Sequence, residues 1–250
     1  MLTSVIIFIL GLIIGSFLNV VIYRVPEGES IVFPASHCPN CQTNLKIRDL
    51  VPVVSFLFSG AKCRYCKEKI SWQYPLVELL TGIIFLLLYW KYNLNIQFLS
   101  YLILSSLLIT VSVIDFKYLI IPNQINYFGI IIGFILSIFF LNQSIYSVLL
   151  GILIPAAILL LIAIISKGGM GMGDVKLIAM VGAFLGAKYA VAAIFLGAFI
   201  GSVVGGGLML TKVKGRKDRI PFGPFISMGA LVMVLWGEEI IDWYLNLFNI

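Results

Sequence analysis

Charge is what this sequence has least of. Asp, Glu, Lys and Arg make up 11% of its 250 residues, while 61% are hydrophobic. Soluble domains carry roughly 25% charged residues, so this balance excludes an ordinary water-soluble fold and places the chain in a lipid bilayer. Cysteine is absent outside residues 38–66, where all four fall, and that clustering points to one local task. The first segment, MLTSVIIFILGLIIGSFLNVVIY, lacks a basic n-region and a small-residue cleavage site. It reads as a retained span rather than a removed signal peptide. No low-complexity segment, no convincing internal repeat and no glycine-rich strand-to-helix fingerprint can be found.

What is present is a series of apolar runs near the ~20 residues that cross a bilayer. They lie at about 2–22, 75–91, 96–114, 124–141, 146–166, 173–187, 189–211 and 222–248. Backbone groups in hydrocarbon must bond internally, so such spans are helices. The break between the sixth and seventh is expected between Gly186 and Tyr189. The long polar insert is residues 24–74. With eight spans, fifteen of the seventeen Lys and Arg residues fall on one side, and only Lys91 and Lys188 on the other. Basic residues mark the cytoplasmic side, so the insert is expected there, with both chain ends outside. The fold expected is an all-α polytopic membrane protein of about eight transmembrane helices with a small cytoplasmic insert. Its parts are a first helix (1–23), the four-cysteine insert (24–74) and a C-terminal membrane domain (75–250).

Two carboxylates share one edge of that membrane domain. Asp115 ends the third span in SVIDFKYLIIPNQIN, and Asp174 opens the sixth in GGMGMGDVK. Helix packing could bring the two together. Two carboxyls in one poorly solvated site cannot both ionise readily, so one holds a proton near neutral pH. That asymmetry supplies a general base for water and a general acid for a leaving amine. The glycines before Asp174 are expected to let the backbone turn sharply and an extended substrate approach closely. A helix-capping role is the alternative for Asp174. Capping does not explain Asp115, at a helix C-terminus where the macrodipole disfavours a carboxylate.

The cysteines are spaced C-x2-C, twenty-one residues, C-x2-C: Cys38, Cys41, Cys63 and Cys66. Two such turns fit a tetrahedral thiolate site for structural Zn2+, with two metal-free thiol pairs as the alternative. His37 is a further candidate ligand, although four cysteines already close the site. A structural ion would hold together an insert too small and polar to fold alone. The surrounding Lys and Arg are explained by a loop lying near anionic lipid.

The segments GSFLNVVIYRVP (15–26), CPNC…CRYC (38–66), ISWQYPLVELLTG (70–82), GMGDVK (171–176) and IPFGPFISMGA (220–230) occur in an order that resembles the type IV prepilin peptidases. These are GxGD-type intramembrane aspartyl proteases. One departure is Asn123, where that family often carries aspartate after IP. The resemblance implies that Asp115 and Asp174 are the catalytic pair, with Gly171, Gly173 and Lys176 in the supporting loop. It implies cleavage of the basic leader of type IV prepilins or pseudopilins at the cytoplasmic face of a bacterial inner membrane. It also implies methylation of the new N-terminal amine with S-adenosylmethionine as donor, because the four-cysteine insert accompanies methylating members.

Glu78, early in the second span, is a candidate to hold the leader or the new amine. A pair with Arg24, or a lipid-facing side chain, is its alternative. The run KVKGRKDR (212–219) reads as a topology anchor rather than a nucleic-acid patch, and PFGPF (221–225) as a rigid lead into the last span. Two rival readings stand beside this one. One is another GxGD protease, of preflagellin or signal-peptide type. Signal-peptide-type relatives usually carry a YD pair at the first aspartate, where Ile114 stands here, and the cysteine insert also weighs against this reading. An ion-coupled transporter would place carboxylates near the bilayer midplane.

Overall fold

The structure, a computed structural model, describes residues 1–166, 169–211, 215 and 220–247. Lys167 and the charges of the 212–219 run lie outside the described residues. The elements are α1 (Leu2–Glu27), a 3-10 turn (Ile47–Asp49), α2 (Val54–Phe58), α3 (Gln73–Tyr92), α4 (Ile96–Tyr118), α5 (Asn123–Ile135), a π-helical turn (Leu136–Phe140), α6 (Ile145–Ile165), α7 (Met172–Leu210) and α8 (Gly223–Leu247). The chain divides into two compact units, Met1–Leu94 and Asn95–Ile250. Thus α3 belongs with α1 and the insert, whereas the sequence grouping put residues 75–92 with the C-terminal spans.

In the first unit, α1 and α3 pack antiparallel along a seam of small residues. A Cβ on Gly11 would stand 2.6 Å from the Gly82 Cα, and one on Gly15 would stand 2.7 Å from the Glu78 Cα. One turn further on, Asn19 donates to the Tyr74 carbonyl at 3.1 Å. Helices in lipid gain little from burying apolar surface against each other, so close backbone approach of this kind drives their pairing. Gly28 ends α1 in the left-handed conformation (φ 73°), its amide bonding the Arg24 and Val25 carbonyls. The insert then runs from there to Trp72.

In the second unit, α7 carries the fold. Its 39 residues are interrupted at Gly186, where φ is 76° and ψ 172°, a conformation open to glycine and hostile to any residue with a Cβ. Before Gly186, α7 runs parallel to α5. Lys176 meets Asn123, Gly129 faces Met180, and Gly133 faces Phe184. Beyond Gly186, α7 runs antiparallel to α8: Tyr189 lies at Gly237, Ala193 at Gly229, Gly197 and Gly201 at Phe225, and Gly205 at Ile220. Both α5 and α8 start at the same end, so the chain reverses at Gly186. Among the described residues seven helices are long and apolar enough to cross a membrane, and α7, reversing at Gly186, contributes two passes. The multi-pass architecture is the one expected, with the break at Gly186.

That reversal is clamped by α6, which crosses α7 at two glycines. A Cβ on Gly151 would stand 2.5 Å from the Gly182 carbonyl oxygen and 2.9 Å from the Gly186 Cα. Neither neighbour is a flexible side chain, so Gly151→Ala is expected to cost about 1–3 kcal/mol of stability as an overpacking change. A lower midpoint for thermal unfolding in detergent is the measurement.

Candidate active site and metal centre

The aspartates sit at the common start of α5, α7 and α8. Asp115 is three residues from the end of α4, which stops where Leu119 turns left-handed (φ 55°) and donates its amide to the Asp115 carbonyl at 2.9 Å. The chain then runs through Ile121, whose side chain is the wedge of the site. A Cβ on Gly173 would stand 2.9 Å from the Ile121 Cβ, and one on Gly223 would stand 3.1 Å from its Cδ1. Ile121 therefore lies against both the Asp174 turn and the start of α8.

Around that wedge the two carboxylates come within electrostatic reach of each other. Asp115 is 6% exposed and Asp174 7%, so neither is a solvated surface charge. The Gly223 amide donates to Asp115 Oδ2 at 2.9 Å. Asp174 is the third residue of α7, and its carboxylate takes the Gly171 amide, as a capping side chain does. Its Oδ1 is buried with no hydrogen-bond partner among the described residues. A carboxylate that only capped the helix would not leave a buried oxygen unpaired, because that costs free energy. Both groups lie at helix ends, whereas ion coupling calls for carboxylates on spans near the midplane.

The glycines of this turn act differently from expectation. Gly171 has an ordinary extended backbone (φ −78°, ψ 145°), and neither it nor Gly173 has a positive φ. Conformational freedom is not what they supply. Gly173 is required by the close approach of Ile121, while a Cβ on Gly171 would stand at ordinary contact distance, 3.4 Å from Asp174 Oδ2 and 3.9 Å from the Gly173 nitrogen. Lys176 donates to Asn123 Oδ1 at 2.7 Å and lies 5.4 Å from the centre of the Tyr127 ring. Asn123 thus serves as a polar start for α5 that holds the Lys176 ammonium.

Glu78 belongs to the first unit. Its carboxylate accepts the Val53 amide at 2.7 Å and a bond from the Ser16 hydroxyl. It is buried, so the lipid-facing alternative fails. Arg24 is engaged elsewhere, donating to the Ser30 carbonyl at 3.0 Å and the Ala35 carbonyl at 3.4 Å. The Arg24–Glu78 pair is therefore not formed. In this arrangement Glu78 anchors the insert to the membrane helices.

The four cysteines converge. Their sulfurs all lie within 4.8 Å of one another, with Cys38 and Cys66 at 3.9 Å. A tetrahedron of sulfurs around an ion with bonds near 2.3 Å has edges of about 3.8 Å, so the cluster could hold a metal ion. Two matching loops build it. The Cys38 amide bonds the Thr43 carbonyl and the Cys63 amide that of Glu68. Gln42 and Lys67 return their amides to Cys38 and Cys63, both with positive φ. Isolated bridges pair His37 with Asn44 and Lys62 with Lys69. The insert therefore contains a duplicated turn, SHCPNCQTNL and AKCRYCKEKI, a repeat carried by the cysteine spacing rather than by the flanking residues. His37 is outside the cluster, its Nδ1 at 3.0 Å from the Ala35 carbonyl.

The thiols are poised for a cation. Thr43, through its hydroxyl and its amide, holds Cys41 down to about 6 from the ordinary 9.0. Amides of Cys66 and Tyr65 also lower Cys63. Cys66 is drawn down by the Glu68 amide but driven up further, to about 11, by burial and the crowding of the other three sulfurs. Four thiolates cannot coexist there without a positive ion among them. Burial would also raise Asp49, but the Tyr65 hydroxyl, the Lys46 amide and the Arg64 guanidinium outweigh it and hold its carboxyl below the usual range. That bracing ties the 3-10 turn to the second loop, is complete above the ordinary carboxylate pKa and fades as pH falls through the lower, folded one. Replacing Thr43 by Val removes the hydroxyl 3.4 Å from Cys41 Sγ. Metal affinity, read by competition with a chelator, is expected to fall roughly tenfold, the lower end for such supporting contacts because one sulfur of four is touched.

Comparisons with known proteins cover both units of the chain. Residues 9–92 match the family described as Bacterial Peptidase A24 N-terminal domain. Residues 102–206 match the Type IV leader peptidase family. The chain is 36% identical over 244 residues to the Prepilin leader peptidase/N-methyltransferase of Bacillus subtilis (strain 168), covering 97% of this chain and 98% of that one. Proteins of the same description from Xanthomonas campestris pv. campestris (33% over 265 residues) and Pseudomonas aeruginosa (31% over 273) cover 95% of this chain and 92% of theirs. No solved structure matches the chain.

Proposed function

This chain belongs to the type IV leader peptidase family, and on that premise we propose that Asp115 and Asp174 cut the leader from type IV prepilins or related pseudopilins. The observation that carries the reading is the placing of two buried carboxylates at one end of the bundle, on either side of Ile121, one tied to the Gly223 amide and one with an orphaned oxygen. One carboxylate takes the proton of the attacking water, and the other, protonated, gives its proton to the departing amine. Both act in a site walled by Ile121 and the glycines that pack on it. The distribution of basic residues supports the cytoplasmic face of a bacterial inner membrane as the place of cleavage.

The same proposal includes N-methylation of the new N-terminal residue, with S-adenosylmethionine supplying the methyl group when bound. No glycine-rich fingerprint marks a site for it, and no residue of this chain is assigned to it. The ion in the cysteine cluster is proposed to be Zn2+, held by Cys38, Cys41, Cys63 and Cys66, where all-thiolate tetrahedral geometry favours it. It would fold the insert, as four thiolates make the closed ligand set of a structural ion.

One experiment tests the whole reading. Purified protein in lipid nanodiscs is mixed with a type IV prepilin and S-adenosylmethionine, and the product is weighed by mass spectrometry. Loss of the leader and a single added methyl group are expected. An intact prepilin would overturn the peptidase assignment, and a cleaved but unmodified pilin would overturn the methyltransferase assignment alone.

A further inference from the structure

The insert does not stand clear of the membrane helices. The Val53 amide is bonded to Glu78 at 2.7 Å, and Glu78 lies beside Gly15 and Ser16 of α1. Ser16 is six positions before Ile22, the last aliphatic residue ahead of Tyr23 and Arg24. At 1.5 Å per residue the start of α2 is about 9 Å down α1 from Ile22. Interfacial helices lie about 5–10 Å into the boundary between headgroups and acyl chains. A polar insert between two membrane spans therefore sends one short segment, VPVVSFLF (51–58), back to that depth.

The segment has two apolar sides. Phe56 is buried and packs edge-on against Trp72, with ring centres 4.9 Å apart. Val54, Leu57 and Phe58, at i, i+3 and i+4, share the other face. They are 45%, 64% and 83% exposed within the protein. Water is a poor neighbour for such a stripe, and its depth offers another. The insert's charge complements a lipid surface as well. Lys46, Arg48, Lys62, Lys67 and Lys69 have exposed side chains, while Arg64 is taken up by Asp49. Basic residues so placed are attracted to anionic headgroups.

We propose that residues 51–58 form an interfacial anchor, with Val54, Leu57 and Phe58 seated among the acyl chains of an anionic bilayer and the basic cysteine loops resting on its headgroups. The segment would then be fixed both at its bonded start, through Glu78, and at its lipid-covered face.

The test labels the occupant directly. A diazirine-bearing amino acid replaces Phe58 in the full-length, metal-loaded protein, held in nanodiscs of phosphatidylglycerol and phosphatidylethanolamine. The same label at Phe56 reports the fold, since it inserts into the Trp72 region when the native packing is kept. After illumination, mass spectrometry sorts adducts at position 58 into phospholipid, water and protein. Phospholipid adducts outnumbering water adducts several-fold, with or without added prepilin, is the expected result. A majority of water adducts would overturn the anchor. So would cross-links to this chain, and so would a shift from lipid to pilin adducts when prepilin is added, which would make the face a substrate dock.

Discussion

Asp115→Asn and Asp174→Asn are each expected to lower leader cleavage by about 10²–10⁴-fold, the range general acid–base groups supply, or roughly 2.7–5.5 kcal/mol of transition-state stabilisation. Asparagine keeps the size of the side chain and can still accept the Gly223 or Gly171 amide. What it cannot do is take or give the proton that the reaction moves. Folding should not suffer, because a carboxylate only 6–7% exposed at a bilayer edge carries a desolvation cost that the amide avoids. Each variant is therefore expected to be at least as heat-stable as the parent. Loss of cleavage with unchanged or higher melting temperature is the signature to look for. Full cleavage by either variant would remove that residue from the mechanism.

Gly223→Ala is the second large effect, and it reaches Asp115 without touching its chemistry. The added Cβ would lie 2.8 Å from Asp115 Oδ2 and 3.1 Å from the Ile121 Cδ1. Real Cβ atoms do not stand so close, so the carboxylate must swing away and lengthen its 2.9 Å bond to the Gly223 amide. A displacement on the order of 1 Å in a catalytic group costs about 10²-fold in rate. The fall is expected in kcat rather than KM, since a misplaced aspartate still allows a leader to bind. Gly206→Ala is the matched control: it lies in α7 with nothing within 4 Å of the new Cβ. Alanine is also the better helix former, so the control should keep its activity.

The passes of the bundle were legible because hydrophobic runs and the one-sided placement of Lys and Arg are properties of the linear chain. Even the reversal at Gly186 left a trace, in the Gly-Ala-Lys-Tyr break before Ala190. The aspartates were legible as a pair because a carboxylate at the lip of an apolar run is costly and rare. The partner of Asp115 was not: Gly223 is 108 positions away, and a backbone amide has no side chain to betray it. The roles of Gly171 and Gly173 were misread as backbone freedom because sequence cannot reveal that Ile121 packs on this turn. Glu78 drew notice as a charge in a span, yet its bond to Val53 depends on a loop that doubles back, which no periodicity encodes. The pairing of the cysteine turns was open to detection through their constant offset, from Cys38 to Cys63 and from Cys41 to Cys66, though the flanking residues barely resemble one another.

The reversal at Gly186 has a consequence for the lipid. From Met172 to Leu185 the first arm of α7 rises only about 21 Å, while the hydrocarbon layer is about 30 Å thick. Lys188 and Tyr189, with the ammonium 5.6 Å from the ring centre, hold the far end at its interface. The hydrophobic mismatch then falls at the aspartate end, where the membrane must thin or dimple. Hydrolysis at Asp174 would take place in a recess below the surrounding headgroups, and a leader must bend down into it to be cut.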